Sequence, residues 1–130
     1  MGRGLIVYDA SAVLALLLRE PGADVASAHF HAAVIGAVNF AEVTTRLGKD
    51  HDDAAVTATL ERLALVVIPL DESLALTAGL MTASTRTAGL SLGDRCCLAL
   101  AKRLGRPALT ADRAWLKIAS AVGVEVRLIR

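Results

Sequence analysis

Short apolar runs recur along this chain between stretches of helical periodicity, and that alternation restricts the fold more than any other feature. Leu5 to Tyr8 is wholly apolar with β-branched residues at its centre, which predicts a strand covered on both faces. Ala33 to Gly36, Leu65 to Ile68, Ala108 to Leu109 and Glu125 to Ile129 read as further short strands. A helix capped by Ser11 runs through Leu18 until Pro21-Gly22 stops it, and Asp24 opens a second that ends near His31. A third spans about Val38 to Gly48; a fourth, capped by Asp52 or Asp53, runs through Leu60 and Leu63. Asp71 and Glu72 start one that reaches Ser84, Ser91 caps Leu92 to Leu104, and the last covers about Ala114 to Val122. Thr85 to Leu90, with Gly89, reads as an exposed loop. Strands separated by helices throughout imply a three-layer α/β/α domain with a mostly parallel central sheet. Right-handed crossovers then align the strand carboxyl ends along one edge, where open sheets of this class bind ligands.

The 130 residues fit one domain, 1–130, able to bury roughly two thirds of the surface its unfolded chain exposes. Hydrophobic residues make up 55% and charged residues only 21%, so the position of each acid is informative. Up to Leu65 there are five basic against eight acidic residues; after it the balance is nine against five. Adjacent Cys96 and Cys97 point about 100° apart on a helix and are expected to be reduced and buried, as in a cytoplasmic protein. The apolar stretch before Asp9 is too short for a signal peptide, and no run approaches the ~20 residues of a membrane span.

Four acids, Asp9, Glu42, Asp94 and Asp112, stand beside apolar segments or in the opening turns of apolar helices. Asp9 and Asp112 each follow a strand; Glu42 and Asp94 each begin a helix near the same edge. Each has a local alternative: a turn bond between Asp9 and Ser11, a Glu42–Arg46 pair one turn apart, a helix cap at Asp94, a cap or Asx turn at Asp112. Taken together they suggest one shared cation, because unpaired carboxylates at a core edge are costly. Mg²⁺ prefers oxygen ligands and needs only one or two direct carboxylates beside its waters.

The segments Asp9-Ala10-Ser11-Ala12, Asn39-Phe40-Ala41-Glu42-Val43, Leu90-Ser91-Leu92-Gly93-Asp94 and Leu109-Thr110-Ala111-Asp112, in this order and spacing, resemble the PIN-domain family, most closely its VapC-type toxins. The resemblance implies a PIN fold and a metal-dependent ribonuclease using Mg²⁺, with Mn²⁺ able to substitute. It places Asp9, Glu42, Asp94 and Asp112 on the family's acidic positions, with Asp9 and Asp94 as direct ligands and Glu42 and Asp112 acting directly or through water. Ser11 and Thr110 fall on its hydroxyl positions. It also implies a VapB-type antitoxin, a homodimer, and an RNA substrate, transfer RNA first and ribosomal or messenger RNA next. Attack by water predicts 5′-phosphate and 3′-hydroxyl ends.

Arg86, Arg95, Arg113 and Lys117 lie near the acidic motifs and are candidates to hold RNA phosphates, against a role as ordinary surface charges. Trp115 is the one plausible platform for base stacking. His29, His31 and His51 have no zinc-like spacing and read as ordinary surface residues. Apolar surface on the early helices, beyond what a core needs, is expected to meet a partner helix or a second copy. Two other functions compete: an inactive PIN-like binding or regulatory module, and an aspartyl phosphotransfer domain. The second lacks an acid at position 11 and a Lys after the late strand.

Overall fold

A computed structural model describes residues 4–130. Arg3, one of the basic residues of the first half, lies outside them. At the centre is a five-stranded sheet of β1 (Ile6–Tyr8), β2 (Ala33–Gly36), β3 (Val66–Ile68), β4 (Ala108–Thr110) and β5 (Val126–Leu128). All four pairings are parallel and the order is β3-β2-β1-β4-β5, so the sheet expected to be mostly parallel is parallel throughout. The helices are α1 (Ala10–Leu18), α2 (Ala23–Ala28), α3 (Ala37–Leu47), α4 (Asp53–Leu63), α5 (Glu72–Leu80), α6 (Thr82–Thr85), α7 (Leu92–Leu104) and α8 (Ala119–Val122).

Successive side chains of a strand point to opposite faces, and β1 uses both. Ile6 and Tyr8 enter a core with α1 to α4, whereas Val7 enters one with α5, α7 and α8. Helices thus cover both faces, giving the expected three layers. Val7, Ile35, Leu98 and Leu109 are at most 1% exposed, and burying each contributes about 1.5–3 kcal/mol. Tyr8 is fully buried, so its hydroxyl needs a partner; it donates to the Ala26 carbonyl at 2.6 Å, and burial pushes its pKa up to about 12.

The chain builds outward from β1 to β2 to β3, then returns across the sheet to lay β4 on the other side of β1. Strand order therefore reverses between β1 and β4, which opens a crevice at their carboxyl ends. Tyr8 pairs in register with Leu109, so Asp9 and Thr110 emerge beside each other at that crevice.

Several elements depart from the pattern read in the sequence. Ser11 is not a cap: α1 begins at Ala10, the capping position falls on Asp9, and neither side chain accepts from a backbone N–H of the first turn. Three expected helices are broken. A 3₁₀ turn, Phe30–Ala32, follows α2; Met81 separates α5 from α6; and a 3₁₀ turn, Arg113–Lys117, precedes α8. That last turn drives Trp115 into the core at 0% exposure, so it is not a stacking platform. The expected loop Thr85 to Leu90 begins with a buried Thr85, contains a 3₁₀ turn, Arg86–Ala88, and closes on Gly89 at φ +66°. Gly22, at φ +95°, passes so close to Ile129 that a Cβ would lie 2.6 Å from its carbonyl oxygen.

The large exposed apolar residues are not on the early helices. Leu14, Leu16, Leu17 and Leu18 are half-buried because α1 packs against both α2 and α3. The exposed ones include Leu76 and Leu80 on α5 and Val66 on edge strand β3, at 63%, 72% and 55%. Among the described residues no helix is long and apolar enough to cross a membrane. Cys96 and Cys97 are free and buried, as expected.

Candidate active site

Asp9 is only 5% exposed and stands directly beyond β1, its N–H continuing the β1–β4 ladder to the Leu109 carbonyl at 2.9 Å. Its Oδ2 accepts two hydrogen bonds, from Ser11 Oγ at 2.7 Å and from Thr110 Oγ1 at 2.9 Å. Both hydroxyls accept in turn from the backbone beyond β4: Ser11 Oγ from the Ala111 N–H, and Thr110 Oγ1 from the Asp112 N–H. Each hydroxyl has one proton, and because an ionised carboxylate can only accept, both protons are directed to Asp9, with the two hydroxyl oxygens 3.3 Å apart. The carboxylate is thereby fixed across the crevice while its Oδ1 receives no hydrogen bond among the described residues.

Burial raises the Asp9 pKa to about 6; the two hydroxyl bonds oppose the rise, and the charges of Asp94 and Glu42 add to it. The Cys97 thiol, buried beneath the site, is pushed well up by burial first and then by Asp9, Asp94 and Glu42. Asp9 and Cys97 thus both lie in the field of Asp94 and Glu42.

Glu42 is on the exposed side of α3, where Oε1 accepts from Asn39 Nδ2 at 2.8 Å. The expected alternative partner, Arg46, pairs instead with Asp50 at 3.1 Å. Asp94 is at the third position of α7 and completes a capping box: Oδ2 accepts from the Ser91 N–H, and the Asp94 N–H donates to Ser91 Oγ. The local reading of Asp94 is therefore correct, and it does not compete with a site role, since Oδ1 has no hydrogen-bond partner among the described residues. Asp112 is exposed and its Oδ1 accepts from the Ala114 N–H at 2.9 Å, as an Asx turn would. It joins the cluster through its backbone bond to Thr110.

Among the described residues, no three His, Cys, Asp or Glu side chains are gathered tightly enough to chelate an ion. Asp9, Glu42 and Asp94 each have one oxygen engaged by a neighbour. The donor set still suits a hard divalent cation: oxygen only, one carboxylate buried with its pKa raised, and a free oxygen on Asp9, Glu42 and Asp94.

Of the expected phosphate contacts, Arg95 is already committed to holding α7 on its neighbours, donating from Nη1 to the Ala78 carbonyl at 3.0 Å and to Thr82 Oγ1 at 2.8 Å. Arg113 donates to the Arg130 carbonyl at 3.1 Å. Arg86 and Lys117 are exposed and carry no ion pair among the described residues. Two features escaped the sequence reading. A hollow of about 420 Å³ beside Glu42 is bordered by Arg46 and Lys49, and the spacing 42, 46, 49 on one helix could have signalled it. The other is fully buried Asn39, a polar residue three before Glu42.

The PIN domain family model matches residues 6–121. Solved structures of similar fold include DNA-bound VapBC from Salmonella typhimurium, 15% identical over 97% of this chain and 98% of that one, with a TM-score of 0.75. VapBC2 from Rickettsia felis bound to a promoter DNA fragment is 11% identical over 95% and 98%, with a TM-score of 0.76. FitAcB from Neisseria gonorrhoeae is 20% identical over 94% and 96%, with a TM-score of 0.67. At these identities the likeness is one of fold. No curated protein matches the chain in sequence.

Proposed function

The chain belongs to the PIN domain family, and on that premise we propose that it is a VapC-type toxin, an endoribonuclease dependent on Mg²⁺ or Mn²⁺ and restrained by a VapB-type antitoxin. The observation that carries this reading is Asp9, buried at the point where strand order reverses, held by Ser11 and Thr110 and lying in the field of Glu42 and Asp94. The structures of similar fold are toxin–antitoxin complexes, which supports an antitoxin partner.

Asp9, Glu42 and Asp94 would hold the cation, with Asp112 contributing through water. When bound, the ion would lower the pKa of an attacking water and draw charge from the scissile phosphate. The chain's own part is orientation. Ser11 and Thr110 fix Asp9 Oδ2 and leave Oδ1 free for a cation, and the Asp94 capping bond likewise leaves that residue's Oδ1 free. Arg86 and Lys117, exposed and without an ion pair among the described residues, supply positive charge for the RNA backbone. Transfer RNA is the first substrate to test, ahead of ribosomal and messenger RNA, because the resemblance to VapC-type toxins implies it.

The test is incubation of the purified chain with RNA and Mg²⁺, followed by end mapping. Cleavage to 5′-phosphate and 3′-hydroxyl ends, abolished by EDTA and restored by Mn²⁺, is the expected result. Cleavage indifferent to EDTA would overturn the reading.

A further inference from the structure

We propose that Asn39 and Gly93 form a clamp that sets the place of Glu42 at the start of α7; the inference rests on the nuclease reading above. Asn39 is completely buried, and its one side-chain amide nitrogen donates twice, to Glu42 Oε1 at 2.8 Å and to the Gly93 carbonyl at 3.0 Å. Both partners are pure acceptors, so the amide has one possible orientation; turned over, it would set oxygen against oxygen. That orientation leaves Asn39 Oδ1 buried without a partner. A buried acceptor left unpaired costs stability, so the two bonds of the Asn39 amide are held against a penalty.

Gly93 approaches Glu42 from the other helix. It lies inside α7 without a positive φ, so no backbone conformation demands glycine. A Cβ at this position would stand 2.5 Å from Glu42 Oε2 and 2.8 Å from its Cδ. The absent methyl group is the space that the carboxylate occupies. Glu42 is an exposed side chain with rotamer freedom of its own, and the clamp confines it beside the residue that precedes Asp94. Asn39 and Gly93 are positioning residues that act through Glu42.

Gly93→Ala separates this role from a structural one. The atoms it displaces are the far end of a flexible side chain, and alanine favours a helix more than glycine does. The melting temperature should hold or rise. Turnover at saturating RNA should fall by about ten- to a hundredfold with KM for RNA unchanged, and Mn²⁺ binding measured by calorimetry without RNA should weaken in step. Asn39→Ala should do the same and serves if the first variant does not fold. Glu42→Asp in the Gly93→Ala background, one methylene shorter, should recover part of the Mn²⁺ binding. The NMR signals of the Asn39 side-chain amide, read without metal or RNA, should move in Gly93→Ala. A folded Gly93→Ala variant with wild-type turnover and Mn²⁺ binding would overturn the clamp even where the wild type cleaves RNA. An inert wild type whose Asn39 amide still responds would overturn the nuclease reading and retain the clamp. An inert wild type with an unmoved amide would overturn both.

Discussion

Asp9 holds a charge where water cannot easily reach it, and this makes the metal-free protein sensitive to pH in a defined direction. Its pKa is about 6 folded against 3.8 in the absence of structure, so between those values the folded chain binds more protons than the unfolded one. Stability contributed by Asp9 is then present below the lower value and falls as pH rises through about 6, a loss of about 3 kcal/mol. With EDTA present, urea midpoints of the wild type should drop between pH 4 and 7 relative to Asp9→Asn, which has no charge to bury. At neutral pH Asp9→Asn should be the more stable protein and should not cleave RNA; a less stable variant with cleavage intact would contradict both roles. Asp94→Asn keeps an oxygen for the cap, so its melting should stay within about 1 kcal/mol of wild type while cleavage falls by orders of magnitude. These two carboxylates show how far the sequence could be read. The acids and their order were visible, as was the capping pattern at Ser91 and Asp94. Of the two bonds that fix Asp9, the short-range one from Ser11 was legible as a turn bond; the one from Thr110 was not, because that residue lies 101 positions away.

Elements bounded by strong local chemistry were legible: wholly apolar strands, and helices capped by Asp52, Asp71 or Ser91. The interruptions at Met81 and Ile118 were not, since both residues keep the apolar pattern going and are buried where the chain turns. Basic residues were equally opaque, because spacing does not say whether a guanidinium faces solvent or fastens two helices. Arg95→Ala should lower the melting temperature by releasing α7 from Ala78 and Thr82, with RNA affinity unchanged. Arg86→Ala and Lys117→Ala should do the reverse, weakening RNA binding and flattening its salt dependence by about one charge each at constant stability. Filter binding across a salt series, paired with thermal melts, distinguishes the two patterns.

For the whole molecule, Leu76 and Leu80, exposed one turn apart on α5, are where the homodimer that the family resemblance implies is expected to form. Light scattering should show a dimer for the wild type and a monomer for Leu80→Glu; a monomeric wild type at high concentration would remove that assignment. The longer consequence belongs to the pairing of β1 with β4. Asp9 is made early in synthesis and its partner Thr110 late, so the two halves of the site meet only after most of the chain has left the ribosome and the intervening strands and helices have closed a long loop. Folding dominated by such distant pairings is slow. Trp115, the only tryptophan, is buried three residues beyond Asp112 and so reports that closure. In refolding experiments cleavage should return with the Trp115 fluorescence change or after it, never before. On the toxin reading proposed above, a cell translating this protein is given an interval, set by topology, in which each new copy cannot yet cut RNA and an antitoxin can reach it first.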